Sequence, residues 1–408
     1  MRIIKLILIT VILFLGGEEV ISQNNMKLNE VIKIALENNP SIKSGKLNIE
    51  KEDAGKQRAF NIPKPELFIE YEGVRGSLSD AESRKIGFIQ RFEFPTNYFL
   101  RSDVRSSQVN AAGEELNSTV NKLKKEVKLN YYRLLLITGL LNISKENYKI
   151  YEEFLFIAEK KYEAGETSNL EVLGAKVNKI KFENEVKNLE SEIKSTQSEM
   201  KTLMNVDYDI LPTDEFEFKE ITISKTELIE KANSNNPELK VMQFQKEKFS
   251  NQISLSKGEL LPDISFKYFR QKLLGDNNYW GMEIGLEIPL WFWGEQAGNI
   301  KESNYEFQIA SNEEVSLKKS LENEINKSFE DYENNLREVK FFSDEALKET
   351  DEILRQAKIS YAEGAIGYVE YLQALNLAYE TKTQYLNSVY NYNQSIIKLE
   401  NLTAGELK

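Results

Sequence analysis

Two kinds of hydrophobic spacing alternate along this chain, and the alternation occurs twice. From residue 28 to about 60 the apolar positions recur at helical intervals, which predicts a helix. The period then falls to two: Leu67, Ile69 and Tyr71 alternate with Phe68, Glu70 and Glu72. A Gly/Ser/Asp-rich stretch from Gly73 to Ser83 leads to a second such run, in which Ile86, Phe88, Phe92 and Phe94 interleave with Gly87, Arg91 and Glu93. Strands are expected at about 66–73 and 85–94, joined as a hairpin. Heptads follow, with Leu116, Val120, Leu123, Val127, Tyr131, Leu134, Ile137 and Leu141 advancing by threes and fours. A helix from about Thr96 to Ala164 measures on the order of 100 Å at 1.5 Å per residue, more than a compact domain needs.

The second half repeats this order. Ile264, Phe266 and Tyr268 alternate with Ser265, Lys267 and a discordant Phe269; a turn is expected at Gly275-Asp276-Asn277-Asn278. On the return strand Met282, Ile284, Leu286 and Ile288 share one face and Glu283, Gly285 and Glu287 the other, placing strands at about 263–271 and 280–289. Leu321, Ile325, Phe329, Tyr332, Leu336 and Val339 resume the heptads. Asn38-Asn39-Pro40 recurs as Asn235-Asn236-Pro237, and at the same separation Pro65 falls on Pro262. Phe94-Pro95 matches Ile288-Pro289, and Tyr162-Glu163-Ala164-Gly165 matches Tyr361-Ala362-Glu363-Gly364. Four landmarks in one order at nearly constant spacing mark an internal duplication. The repeats are set at 23–205 and 225–408, with a linker at 206–224 where Asp, Pro and Thr break the helical pattern.

Composition narrows the chemistry. The 408 residues include neither Cys nor His, which removes disulfides, thiolate nucleophiles, Ser-His-Asp triads and the usual zinc ligand sets. Carboxylates lie at helical spacing and read as solvated helix faces, so no catalytic residue, metal site or cofactor is expected. A net charge of -12 argues against a nucleic-acid groove, and pairs such as Lys124-Lys125 and Lys318-Lys319 sit among Glu residues. Arg2 and Lys5 precede the apolar run Leu6 to Leu15 and a small-residue site ending at Ser22, so residues 1–22 read as a signal peptide. That run is too short to span a bilayer, and no later stretch approaches the roughly 20 apolar residues a transmembrane helix requires. No Cys follows it, so no N-terminal lipid anchor is expected.

Strands of about ten residues, apolar on one face and polar on the other, have the pattern of an outer-membrane barrel. Four strands cannot close one, and open edges are not tolerated in lipid, so copies of the chain would have to pool their strands. Three copies would supply twelve, with a lumen lined by Glu70, Glu72, Arg91, Glu93, Lys267, Glu283 and Glu287. The competing reading is a pair of soluble hairpins packed on a core with acidic faces in water. Tyr98-Phe99 and Trp291-Phe292-Trp293, just past the second strands, suit a membrane interface and equally suit packing of the strand-to-helix corner.

The duplicated order of helix, strand pair, Pro at the strand exit and long helices meeting at Tyr-x-x-Gly resembles the TolC family of outer-membrane efflux proteins. Its most specific pieces are Tyr162-x-x-Gly165 before Leu170-Glu171-Val172-Leu173-x-Ala175, and Tyr361-x-x-Gly364 before Val369-Glu370-Tyr371-Leu372-x-Ala374. The resemblance implies a mainly α fold with β, a homotrimer, a twelve-stranded barrel in outer-membrane lipid and a periplasmic barrel of coiled helices. It implies a passive duct, not an enzyme, that exports cargo driven by an inner-membrane pump through a periplasmic membrane-fusion adaptor. The adaptor would dock on the tips, at Tyr162, Gly165, Leu170, Leu173, Tyr361, Gly364, Val369 and Leu372. Glu370 matches the position where the family often places an Asp lining the closed entrance, and Glu171 is its repeat mate; a Glu in that place is also an ordinary first-turn charge. A secreted structural coiled coil or surface stalk is the alternative, and it leaves both duplicated features, strand pairs and turns, unexplained.

Overall fold

The computed structural model describes residues 24–407, so the expected signal peptide falls outside the described residues. A short strand β1 (Asn24–Met26) leads into α1 (Leu28–Asn38) and α2 (Pro40–Gln57), where a single helix was expected. The break has a local cause. Pro40 lacks an N–H and holds Asn39 extended, at φ -60° and ψ 128°, and the Asn39 side chain then caps α2 by accepting the Ser41 N–H at 2.8 Å.

The hairpin β2 (Glu66–Glu72) and β3 (Ser83–Phe92) ends two residues earlier than expected, because Pro95 biases Phe94 to a non-helical N-cap and starts the next helix. That helix, α3 (Pro95–Glu163), runs 69 residues and reverses into α4 (Asn169–Met204). Beyond it the expected linker is a strap rather than a loose connector. Its strand β4 (Ile210–Pro212) pairs in parallel with β1, and Phe216, Phe218, Ile221 and Ile223 press on the second core.

The second half follows with α5 (Lys225–Asn235), α6 (Pro237–Gly258), β5 (Asp263–Leu273) and β6 (Asp276–Glu287). The turn is tighter than expected. Leu273 pairs with Asp276, leaving Leu274 (φ 47°) and Gly275 (φ 94°) as a two-residue connection with both residues left-handed. Next come α7 (Glu295–Phe341), a π-helical turn (Phe342–Ala346), α8 (Leu347–Ala362) and α9 (Tyr368–Thr403). Only the second outgoing helix carries this extra-residue turn.

The four long strands form one antiparallel sheet in the order β2-β3-β5-β6, so the two hairpins meet at β3 and β5 and the edges β2 and β6 are open within one chain. The helices repeat that order: α2 lies on α3, α6 lies between α3 and α7, and α9 lies between α3 and the α7–α8 pair. Two equivalent cores sit where the short helices meet the long ones. Val31, Val127, Tyr131 and Met200 fill the first; Leu228, Ile325, Tyr332 and Ile396 fill the second.

Candidate functional site: a two-faced sheet and two helical tips

Directly opposed residues of antiparallel strands point to the same face, so the register alone sorts the sheet. One face reads, from the helices outward, Phe92, Ile264 and Leu286; then Gln90, Phe266 and Ile284; then Leu67, Phe88, Tyr268 and Met282; then Ile69, Ile86, Arg270 and Trp280. Many of these apolar side chains are uncovered, Leu67 at 82% and Ile284 at 70% of full exposure. A soluble hairpin packed on a core would bury that face, so the competing soluble reading fails here.

The other face collects Glu70, Glu72, Arg91, Lys267, Glu283 and Glu287 from two hairpins more than 170 residues apart in sequence. Arg91 bridges the hairpins, meeting Glu66 and Glu287 at 3.1 Å each. Lys85 meets Glu72 at 2.8 Å and Glu70 at 3.4 Å. Lys85 and Glu66 were absent from the expected lumen set although they share the parity of Arg91 and Glu70. Lys267 holds its ammonium 4.7 Å above the Phe68 ring. The discordant Phe269 belongs to this polar face, opposite Gly87 on one side and Gly281 on the other. Glu93 does not join the set: it lies past the end of β3 and pairs with Arg101 of α3.

At the far end each outgoing helix closes on a left-handed glycine. Gly165 (φ 77°) donates its N–H to Tyr162 O at 3.0 Å while Glu166 N–H reaches Lys161 O at 2.8 Å; Gly364 (φ 72°) and Ala365 repeat both bonds with Tyr361 and Ser360 at 3.1 and 2.8 Å. An added Cβ would meet nothing within 4 Å at either glycine, so the backbone angle alone demands the residue type.

The two tips differ in what surrounds them. Tyr162, Leu170, Leu173 and Val369 are exposed, Leu170 at 78%. Tyr361 instead stacks on Tyr371 at 4.9 Å and 6°, and Phe154 of α3 touches Tyr361, Tyr368 and Tyr371. Leu372 packs against the same cluster. Burial pushes the Tyr368 and Tyr151 hydroxyls up to about 12. This aromatic cluster was not expected, though Phe154 and the Tyr368–Tyr371 spacing of three were available in the sequence.

Only one gate candidate caps a helix: Glu370 accepts the Gly367 N–H at the start of α9, whereas Glu171, in the first turn of α4, accepts the Thr167 side-chain hydroxyl. Among the described residues no cluster of acidic groups is arranged to hold a metal, and no helix is long and apolar enough to cross a membrane.

A sheet with one uncovered apolar face and one ion-paired face, carried on helices of up to 69 residues, defines a membrane-channel class of protein. The family model "Outer membrane efflux protein" matches residues 31–206 and 228–405. The chain belongs to the outer membrane efflux protein family, which makes it an outer-membrane efflux channel of the tripartite type and not an enzyme. No curated protein sequence matches it. Its fold is similar to that of a Pseudomonas aeruginosa membrane protein, at 16% identity and TM-score 0.77, covering 92% of this chain and 93% of that one. It is also similar to the Vibrio cholerae outer membrane protein VceC (15% identity, TM-score 0.73, 93% and 97% covered). The Campylobacter jejuni CmeC outer membrane channel gives 16% identity and TM-score 0.71, with 93% and 86% covered.

Proposed function

We propose that three copies of this chain close into one duct, a twelve-stranded barrel in the outer membrane above a periplasmic barrel of helices. The observation that carries this is the joint between the two repeats. Inside one chain the second strand of one hairpin pairs with the first strand of the next, β3 with β5, and α6 fills the space between α3 and α7. The open edges β6 and β2, and the uncovered flanks of α7 and α2, offer the same joint to another copy. Closure removes every sheet edge, which lipid demands.

In this reading the ion-paired face of the sheet lines the lumen, with Glu70, Glu72, Arg91, Lys267, Glu283 and Glu287 in contact with passing cargo. The glycine turns at 165 and 364 form the periplasmic tip, where an adaptor meets Leu170, Leu173 and Val369 and connects the duct to an inner-membrane pump. Glu171 and Glu370 line the entrance. Detergent extraction, mass measurement and planar-bilayer recording test the proposal together. A complex of three protomers with stable conductance is expected; a water-soluble monomer without conductance overturns it.

A further inference from the structure

The apolar face of the sheet ends in charge. In its row farthest from the helices Arg84 of β3 stands directly opposite Lys272 of β5, and Arg270 lies two residues away on the same face. Among the described residues none of the three has a carboxylate within 4.0 Å; the Arg84 guanidinium lies 5.6 Å over the Tyr71 ring. Like charges directly opposed across a sheet destabilise it unless a counter-charge sits between them. The chain is not short of carboxylates, with 65 Asp and Glu against 53 Lys and Arg, and on the polar face the next residue, Lys85, holds two of them. The missing counter-charge therefore belongs to what lies against the apolar face.

The tryptophans set the depth of this cluster. Trp280 is register partner of Arg270 and 64% exposed; the other two tryptophans of the chain, Trp291 and Trp293, are 70% and 66% exposed at the opposite end of β6. Indoles concentrate at both membrane interfaces. From Trp280 to the end of β6 at Glu287 the strand advances about 23 Å, or about 18 Å of depth at a 40° tilt. The turn carrying Trp291 and Trp293 lies beyond that end, so the indoles bracket most of the ~25 Å apolar band of such barrels. Trp280 thus marks the outer interface. Arg84, Arg270 and Lys272 lie at the level of the headgroups beyond it.

We infer that Arg84, Arg270 and Lys272 form a binding site for the phosphate groups of an outer-leaflet lipid. Two guanidinium forks and one ammonium match the donors that phosphate oxygens take. The site rests on the reading that the apolar face lies in the membrane, and it adds a specific lipid to that reading.

The test uses the full-length protein extracted in neutral detergent, with diphosphoryl lipid A as probe. Retained lipid is counted by native mass spectrometry, and conductance is recorded from the same sample. Wild type is expected to retain the probe. The triple variant Arg84→Gln/Arg270→Gln/Lys272→Gln is expected to lose at least tenfold in retention with conductance intact, and Lys318→Gln/Lys319→Gln to behave as wild type. Equal retention by the triple variant, or by wild type of the fully dephosphorylated lipid, overturns the site. Competition by equimolar inorganic phosphate overturns the lipid assignment in favour of a free anion. Should the triple variant fail to assemble, Arg270→Gln must lower retention and Lys272→Arg must preserve it. A wild type without conductance counts against the channel proposal instead.

Discussion

Phe269 lies across Gly281 of the neighbouring strand so closely that a Cβ added there would sit 2.4 Å from its ring Cζ. Gly87, its partner on the other side, is closed still more tightly, because a Cβ would meet the Tyr268 carbonyl oxygen at 2.1 Å. The aromatic ring that interrupts the alternation thus occupies the space Gly281 leaves open on the polar face, while at Gly87 the backbone and Cβ of the β5 strand close in. Gly281→Ala is expected to destabilise the β5–β6 pairing by about 1–3 kcal/mol through overpacking. Phe269→Leu added to it should restore part of the loss. Thermal unfolding followed by circular dichroism measures both, and a Gly281→Ala protein as heat-resistant as wild type would contradict the account.

The duplication extends to single hydrogen bonds. Asn39 donates its side-chain amide to Leu203 O at 2.9 Å, and Asn236 donates to Leu402 O at 3.0 Å; each also caps its own helix. Both are buried, so loss of either leaves a carbonyl without its donor at the end of the repeat's last helix. Asn39→Ala and Asn236→Ala should each cost about 1–3 kcal/mol and add nearly independently, since they serve separate cores. Denaturant midpoints of the two single variants and the double variant check this. Strong non-additivity would mean that the cores unfold through one another.

The parts that could be read in advance were those whose cause is local. Met282, Ile284 and Leu286 against Glu283 and Glu287 spell a two-faced strand in adjacent letters, and the heptads through Leu123, Val127 and Tyr131 do the same for a long helix. What escaped depends on register or on distant partners. Arg84 and Lys272 are 188 residues apart and become neighbours only when β3 pairs with β5. The strands β1 and β4, three residues each, are too short for a period to show. Asn38-Asn39-Pro40 was visible as a repeat landmark, yet its break in the helix is a matter of proline sterics at that spot. Glu93 keeps the parity of Arg91 yet lies outside the strand ladder, because Phe94-Pro95 turns the chain into α3 immediately after it.

Glu370 carries two expected consequences that separate a gate from a cap. Its carboxylate accepts the Gly367 N–H, so Glu370→Gln, which retains a carbonyl acceptor, should leave α9 intact with at most about 0.5–1 kcal/mol of lost charge–dipole energy. If three copies ring the entrance, the same substitution removes three negative charges and should lower cation selectivity and block by multivalent cations. Glu171→Gln, facing Thr167 in the other repeat, gives the matched comparison. Selectivity measured in bilayers under a salt gradient decides the point. Unchanged selectivity in both variants, with normal thermal stability, would leave Glu370 as a cap alone and Glu171 as a first-turn partner of Thr167 alone.

The aromatic cluster at the tip predicts an alkaline weakness. Burial raises Tyr368 and Tyr151 to about 12, and Tyr361 and Tyr371 move in the same direction, so the folded tip keeps these hydroxyls neutral after the unfolded chain has begun to ionise near 10. Between those values the unfolded state binds fewer protons, and stability falls as pH rises. The contribution is complete below about pH 10 and is lost progressively toward pH 12. The Tyr368 hydroxyl is buried and has no hydrogen-bond partner among the described residues, so Tyr368→Phe removes an ionisable group without breaking a bond. It is expected to leave stability at pH 7 unchanged or slightly higher and to move the alkaline midpoint of helix loss upward. Tyrosinate absorbance titrated alongside far-ultraviolet dichroism measures this directly. In wild type a late-ionising subset of the 19 tyrosines should titrate together with the loss of helix, and a single transition near pH 10 with helices intact would refute the cluster's role.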